Sequence, residues 1–219
     1  MASLRRGVAL LSRMATLIFD FDGTLADTFF ISVDVFRKLA PKGTATHDKE
    51  IEILRGMSAR AVFKRIGVKW WQVPLIVYYA RREVRMQIDD IKPFPGIKQV
   101  VHTLHGRGHT LLILSTNKKA NIKRFLSNTG MDAYFDHVYA DIGLFAKARN
   151  LRKIMREHKL GSSECYYVGD EVRDFEASEQ VGMRCISVAW GYNNAKALRA
   201  SHAKTIIMEP KALLTAIGK

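Results

Sequence analysis

The pattern of apolar and polar residues divides the chain into short apolar runs and longer stretches with helical periodicity. An apolar run that stops at a turn residue is typical of a buried strand, whereas apolar positions three or four apart with charges between them indicate an amphipathic helix. We predict strands at residues 17–19, 110–114, 137–140, 165–168, 184–189 and 205–208. The predicted helices are residues 29–39, 47–66, 71–88, 97–105, 120–128, 147–158, 175–181 and 210–217.

Strands that alternate with helices predict βα units and a parallel sheet. The expected fold is therefore α/β, a Rossmann-like doubly wound parallel sheet with helices on both faces. The region after the first strand is helical up to a proline-rich linker, and prolines forbid regular structure there. We expect an α/β core of residues 15–26 and 93–219, with a small helical domain of residues 27–92 inserted after the first strand.

The chain has 219 residues and a formal net charge of +14, which raises nucleic acid or an anionic substrate as a partner. Its basic residues are scattered rather than clustered, so we favour a solvated basic surface over a nucleic-acid interface. No apolar run approaches the ~20 residues that span a bilayer, and we expect no membrane partner. A monomer or a homodimer is expected.

Cys165 and Cys185 lie in apolar runs. We predict buried free thiols in a reducing compartment, which favours a cytoplasmic location. Residues 1–14 carry three arginines and no acid. They are predicted to be a basic N-terminal tail, and a targeting segment or an upstream start are alternatives.

Three polar clusters follow three of the predicted strands. Parallel strands bring their carboxyl ends to one edge of the sheet, so we expect these clusters to meet. Several carboxylates together cost free energy unless a cation compensates them, and hard oxygen ligands suit Mg²⁺. Hydroxyl groups at a strand-to-helix turn suit a phosphate, and Lys147 would supply a cation for its oxygens. The clusters are Asp20, Asp22 and Thr24; Ser115, Thr116 and Asn117; and Asp170, Glu171 and Asp174.

These segments resemble a known family. The stretches DFDGTLADT, LSTN, the lone Lys147 and VGDEVRD match, in order, the four motifs of the haloacid dehalogenase (HAD) superfamily. The linker PFPGI and the helical insertion after the first motif are similar to its phosphoglycolate-phosphatase-like branch. The resemblance implies a Mg²⁺-dependent phosphatase that hydrolyses a small phosphomonoester, with the insertion acting as a cap.

The resemblance also implies roles for the acidic residues. Asp20 would be the nucleophile that forms an aspartyl-phosphate. Asp22 would be the general acid that protonates the leaving alkoxide and then the base that activates water. Mg²⁺ would be held by the Asp20 carboxylate, the Asp22 carbonyl and Asp170. Asp174 and Glu171 would act on the metal or orient the catalytic lysine.

The remaining roles implied by the resemblance concern phosphate and leaving group. Lys147 would neutralise charge between Asp20 and the phosphate. Arg55 would bind an anionic leaving group, with an ordinary surface arginine as the alternative. The phosphoryl oxygens would be held by Gly23, Thr24, Ser115, Thr116 and Asn117.

Other functions remain open at this point. Dehalogenation is disfavoured, because the metal-independent dehalogenases of the superfamily lack an acid at the position of Asp22. A phosphonatase would need a lysine in the insertion, for which Lys64 is the candidate. A sugar phosphomutase also remains possible. From a different class, a nucleic-acid-binding or regulatory protein could keep the fold without the chemistry.

Two further groups of residues are predicted to lie outside the site. Aromatic residues at helical spacing in the insertion are expected to form its core or a dimer surface: Trp70, Trp71, Tyr78 and Tyr79. The histidines of one helix and its following turn are expected to be exposed: His102, His105 and His109.

Overall fold

The computed structural model describes residues 14–39 and 48–217. The expected basic tail, apart from Met14, lies outside the described residues. Within them, no helix is long and apolar enough to cross a membrane.

Six parallel strands form one sheet in the order β3-β2-β1-β4-β5-β6. From β1 the chain adds strands on one side, then returns to place β4 on the other side of β1. This reversal is a topological switch point, where α/β sheets bind ligands. The strands are β1 (Thr16–Phe19), β2 (Thr110–Leu114), β3 (His137–Tyr139), β4 (Cys165–Gly169), β5 (Arg184–Val188) and β6 (Thr205–Ile207).

The helices cover both faces of the sheet, as expected for a doubly wound fold. Leu17 and Phe19 of β1 pack in one apolar cluster, and Ile18 between them packs in another. The helices are α1 (Phe29–Leu39), α2 (Asp48–Arg55), α3 (Ala59–Arg65), α4 (Val73–Gln87), α5 (Ile97–Gly106), α6 (Lys119–Thr129), α7 (Lys147–Glu157), α8 (Val172–Glu179), α9 (Ala195–Ala200) and α10 (Leu213–Ala216). Short 3₁₀ helices lie at Trp70–Gln72, Asp132–Tyr134 and Pro210–Ala212.

Several helix boundaries differ from the sequence prediction for local reasons. The stretch 47–66 contains two helices, because Ser58 accepts a hydrogen bond from the Ala61 amide and starts α3 separately. Helix α8 begins three residues earlier than predicted, where Glu171 and Asp174 form a reciprocal capping box. Helix α9 was not predicted.

The four aromatic residues of the insertion were predicted to form its core or a dimer surface. Trp70, Trp71 and Tyr78 are exposed, with 81% of Trp70 accessible, so they do not form the core, and the dimer surface stays a prediction. Tyr79 is partly buried. Helix α4 instead turns Val73 and Val84 inward.

His109 is buried rather than exposed. It follows Gly108, whose positive φ brings the chain sharply into β2. The His109 Nδ1 atom accepts a hydrogen bond from the Ala15 amide at 3.1 Å.

The prediction of buried free thiols is confirmed for Cys165, which is buried, whereas Cys185 is free but only partly buried.

The burial of His109 makes stability depend on pH. Burial and the nearby Arg107 lower the pKa of His109 below its ordinary value of 6.5. The unfolded chain therefore binds the proton more readily, and His109 contributes a loss of stability as pH falls below 6.5. We expect the free energy of unfolding, measured by urea titration, to fall less in His109→Gln than in the wild type between about pH 7.5 and about pH 5.5. Equal pH dependence in both proteins would contradict this assignment.

Candidate active site

The polar clusters meet at the carboxyl edge of the sheet. Asp20 follows β1, Ser115 follows β2, and Asp170 follows β4. Lys147 is the first residue of α7 and enters from one side of this edge. The parallel topology thus brings together residues up to 150 positions apart in the sequence, from Asp20 to Asp170.

A buried lysine joins two of the carboxylates. The Lys147 ammonium donates to Asp20 Oδ2 at 2.5 Å and also to Asp174 Oδ1. All three side chains are at most 5% exposed. Burial alone would lower the pKa of Lys147, but the two carboxylates raise it above its ordinary value, so the amine stays charged. Burial raises the pKa of Asp20 to about 7 despite the opposing charge of Lys147.

Asp170 is held from two directions. Its Oδ1 accepts from the Thr24 hydroxyl at 2.8 Å, and its Oδ2 accepts from the Tyr192 amide at 2.6 Å. Burial, followed by the charges of Glu171 and Asp174, raises the pKa of Asp170 well above its ordinary value. The carboxylate is therefore well oriented by neutral donors, and within residues 14–39 and 48–217 it forms no ion pair with a cationic side chain.

Three carboxylates at this edge fit a divalent metal ion. Asp20, Asp170 and Asp174 each offer one oxygen, and these oxygens lie within 4.8 Å of one another. All three residues are buried. Their carboxylates create an excess of negative charge, and hard oxygen ligands of this kind suit Mg²⁺. Glu171 points its carboxylate to Arg173 instead, with which it forms an ion pair.

Asp22 is set apart from this cluster. The side-chain amide of Asn117 donates to both carboxylate oxygens of Asp22 at 3.0 Å. Asn117 is itself oriented, because its Oδ1 accepts from the Lys118 amide and from Asn121 Nδ2. Burial raises the pKa of Asp22, although the hydrogen bonds from Asn117 and Thr28 oppose it. A carboxyl group with a raised pKa is suited to proton transfer.

The predicted phosphate ligands occupy the same edge but differ in their present contacts. The Ser115 hydroxyl accepts a hydrogen bond from the backbone amide of Asn117 at 3.0 Å. The Thr24 hydroxyl donates its hydrogen bond to Asp170. Thr116 lies, partly buried, on the wall of the cavity described below. Gly23 has φ +77° and lies against Asp170.

A cavity of about 750 Å³ opens between the insertion and the sheet edge. Asp22 and Asn117 lie on its core side, and apolar side chains of α1 to α4 line much of the rest. Arg55 also lines it; its Nη2 donates to the Gly191 carbonyl at 2.9 Å, and its guanidinium lies over the Phe29 ring. Lys64, the phosphonatase candidate, lines the cavity too, but its side chain is exposed.

Two contributors to the site were not predicted from the sequence. One is Tyr192, in the loop between β5 and α9, whose backbone amide donates to Asp170 Oδ2. Arg173 lies beside the acidic cluster, donating to the Leu144 carbonyl as well as to Glu171. The loop after β5 was recognisable in principle, because it leaves the same edge of the sheet as the other clusters.

Two glycines with positive φ provide a matched test of crowding at Asp170. A Cβ on Gly23 would lie 2.3 Å from Asp170 Oδ2, whereas a Cβ on Gly67 would meet nothing within 4 Å. Both substitutions place a Cβ at a positive φ, which costs about 1–2 kcal/mol in each case. We expect Gly23→Ala to lose about 1–3 kcal/mol more than Gly67→Ala, because the carboxylate must shift. Thermal and urea unfolding measure this difference, and equal losses would exclude a crowded Asp170 site.

Known proteins with similar sequences indicate the family to which this chain belongs. The model of haloacid dehalogenase-like hydrolases matches residues 17–188. A phosphoglycolate phosphatase from Synechococcus elongatus is 32% identical over 206 residues, covering 93% of this chain and 97% of the relative. The pyrophosphatase PpaX from Oceanobacillus iheyensis is 25% identical and covers 93% of this chain and 96% of the relative.

Solved structures show the same fold. A predicted phosphatase from Clostridium acetobutylicum superposes with a TM-score of 0.75 at 18% identity, covering 93% of this chain and 98% of the other. A haloacid dehalogenase-like hydrolase from Streptococcus pneumoniae gives a TM-score of 0.72 at 21% identity, with coverage of 93% and 98%. The predicted α/β fold is confirmed, and the named relatives support the predicted class of phosphoric monoester hydrolases. The chain belongs to the haloacid dehalogenase-like hydrolase family and resembles its phosphoglycolate-phosphatase-like branch.

Proposed function

We propose that this protein is a Mg²⁺-dependent phosphatase that hydrolyses a small phosphomonoester, similar to phosphoglycolate phosphatase, through an aspartyl-phosphate on Asp20. The observation that carries the proposal is the buried contact of Asp20 with Lys147, beside Asp170 and Asp174. An isolated carboxylate attacks a phosphate dianion poorly, because the two repel each other. A lysine and a divalent cation at the carboxylate remove that repulsion.

Asp20 is oriented for attack by its surroundings. Its Oδ1 accepts from the Phe21 amide at 2.8 Å, and its Oδ2 accepts from Lys147. Mg²⁺, held by Asp20, Asp170 and Asp174, would supply positive charge to the phosphoryl oxygens. In the first step a carboxylate oxygen of Asp20 bonds to phosphorus as the bond to the leaving oxygen breaks. Lys147 would offset the negative charge between the two reactants.

Asp22 would donate a proton to the leaving group and later accept one from water. Its raised pKa favours the protonated form that donates to the leaving alkoxide. The resulting carboxylate then accepts a proton from the water that attacks the aspartyl-phosphate. Asn117 would keep this carboxyl group in place through both steps, because it donates to both oxygens.

The phosphate and the leaving group would bind on either side of Asp22. Ser115, Thr116, Asn117 and the backbone near Gly23 would bind the phosphoryl oxygens, while Thr24 supports Asp170 instead. Residues 27–92 would act as a cap over the cavity, with Arg55 facing the leaving group. Closure of such a cap would exclude water during phosphoryl transfer.

A panel of phosphomonoesters, assayed by phosphate release with Mg²⁺, tests this function directly. We expect Asp20→Asn to lower kcat at least about a thousandfold, since the amide cannot act as the nucleophile. The exposed neighbour Asp27 provides the control, and Asp27→Asn should retain activity. Full activity in Asp20→Asn would refute the aspartyl-phosphate. Salt-dependent binding of DNA or RNA without any hydrolysis would favour the nucleic-acid alternative instead.

Metal binding can be measured without turnover. We expect Mg²⁺ to raise the Tm of the wild type, because a ligand of the folded state stabilises it by mass action. Asp170→Asn should lose this Mg²⁺-dependent rise. Because Asn can accept only one of the two bonds from Thr24 and the Tyr192 amide, the Mg²⁺ response of the variant is taken as its Tm in Mg²⁺ minus its own Tm in chelator. An unchanged Mg²⁺ response in Asp170→Asn would argue against this metal site.

A further inference from the structure

One side chain connects the helical insertion to the acidic side of the active site. Asn193 lies in the loop between β5 and α9 and is only 6% exposed. We call residues 55–58 the α2–α3 turn. Residues 170–174, which include the first turn of α8, are called the acidic loop. Asn193 makes hydrogen bonds to both of these segments, which belong to different parts of the chain.

The amide nitrogen of Asn193 faces the insertion. Its Nδ2 donates to the Arg55 carbonyl at 3.0 Å and to the Met57 carbonyl at 2.7 Å. The last carbonyls of a helix have no partner within the helix, so they need donors from elsewhere. Asn193 therefore holds the end of α2 through both protons of its amide group.

The other atoms of Asn193 face the acidic loop. Its Oδ1 accepts from the Val172 amide at 2.9 Å, and its own backbone amide donates to the Asp170 carbonyl at 3.3 Å. Val172 is the first residue of α8, and its amide also lacks an intrahelical partner. The side chain of Asn193 thus satisfies orphan groups at the ends of two helices at once.

Neighbouring contacts strengthen this connection. The Asn194 amide donates to the Arg55 carbonyl at 3.0 Å, and Arg55 Nη2 donates to the Gly191 carbonyl. The Tyr192 amide donates to Asp170 Oδ2. Successive residues of one loop therefore contact the insertion and Asp170 in turn.

We propose that Asn193 is a positioning residue that couples the seating of the α2–α3 turn over the active site to the position of the acidic loop. Asn193 borders the cavity, but the hydrogen bonds of its side chain go to Arg55, Met57 and Val172 rather than to Asp20 or Asp22, so it acts through those segments. Its consequence for catalysis rests on the proposed phosphatase function. The coupling itself is a property of the fold and can be measured without substrate.

Two substitutions separate the two sides of the bridge. Asn193→Ala removes all three side-chain hydrogen bonds. Asn193→Asp keeps an oxygen for the Val172 amide but places a second acceptor against the carbonyls of Arg55 and Met57. Asn194→Ala is the control at the neighbouring position. It removes the N-cap bond from the Ala197 amide at 3.2 Å and a long bond to the Glu52 carbonyl at 3.4 Å, and it leaves all the bonds of Asn193 in place.

Hydrogen–deuterium exchange without substrate measures the coupling. In Asn193→Ala we expect faster exchange at the amides of residues 56–58 and at Val172. In Asn193→Asp we expect faster exchange at residues 56–58 while Val172 stays protected. Asn194→Ala should lower Tm without either change. Unchanged exchange at both segments in Asn193→Ala would overturn the proposal; if that variant does not fold, unchanged exchange at residues 56–58 in Asn193→Asp overturns it.

Kinetics then test the link to catalysis. The loss of two hydrogen bonds shifts the seating equilibrium by about tenfold, so kcat/KM should fall about tenfold in both Asn193 variants and stay near wild type in Asn194→Ala. A similar loss in Asn194→Ala would reduce Asn193 to a structural role and overturn the proposal. If the wild type hydrolyses no phosphomonoester, the proposed function fails, whereas the exchange experiment still decides the coupling.

Discussion

The contact of Lys147 with Asp20 and Asp174 is the interaction on which the site depends. Removing ions from water costs several kcal/mol each, so a buried charge persists only with partners at close range. Lys147 has two such partners. The acids nevertheless exceed the cations, and burial raises the pKa of Asp20, Asp22 and Asp170. This excess of negative charge is the physical reason for proposing Mg²⁺ at this site.

The sheet order makes that charge arrangement possible. Asp20 and Asp170 leave adjacent strands, β1 and β4, on the two sides of the switch point. Lys147 arrives from α7 and Asp174 from the first turn of α8. No two of these four side chains come from the same strand or helix, so the charges compensate one another only when the sheet and its crossover helices are assembled. The folding of the core and the formation of the site are therefore one event.

The sequence was informative where the chemistry follows from local pattern. Apolar runs located the six strands of the sheet, and polar residues at their ends identified the acids and Asn117 as neighbours. The pattern could not show which partner each group chooses. Thr24 lies in the first motif, yet its hydroxyl supports Asp170 rather than facing the cavity. Such choices depend on distances of a few tenths of an ångström between distant segments, which periodicity does not encode.

The missed features share a cause. Helix α9 has only six residues, too few to show a clear apolar periodicity, and its N-cap Asn194 accepts from the Ala197 amide. Asn193 and Tyr192 contribute through backbone and amide hydrogen bonds to other segments, not through a residue type that indicates chemistry. Large aromatic residues are typical of a core or of an interface, and the exposure of Trp70, Trp71 and Tyr78 excludes only the core. Spacing identifies a helical face, but it does not say whether that face meets protein or solvent.

The division between core and insertion has a consequence for specificity. The charged groups proposed for catalysis all come from the core, whereas the cavity beside them is lined mainly by apolar side chains of α1 to α4. Apolar walls distinguish ligands by size and shape, at roughly 1–3 kcal/mol per methylene. Changes in that lining would alter which leaving group fits without disturbing the Lys147 cluster. The loop that carries Asn193 is where the two parts meet, because it bonds to the insertion and to Asp170 at the same time.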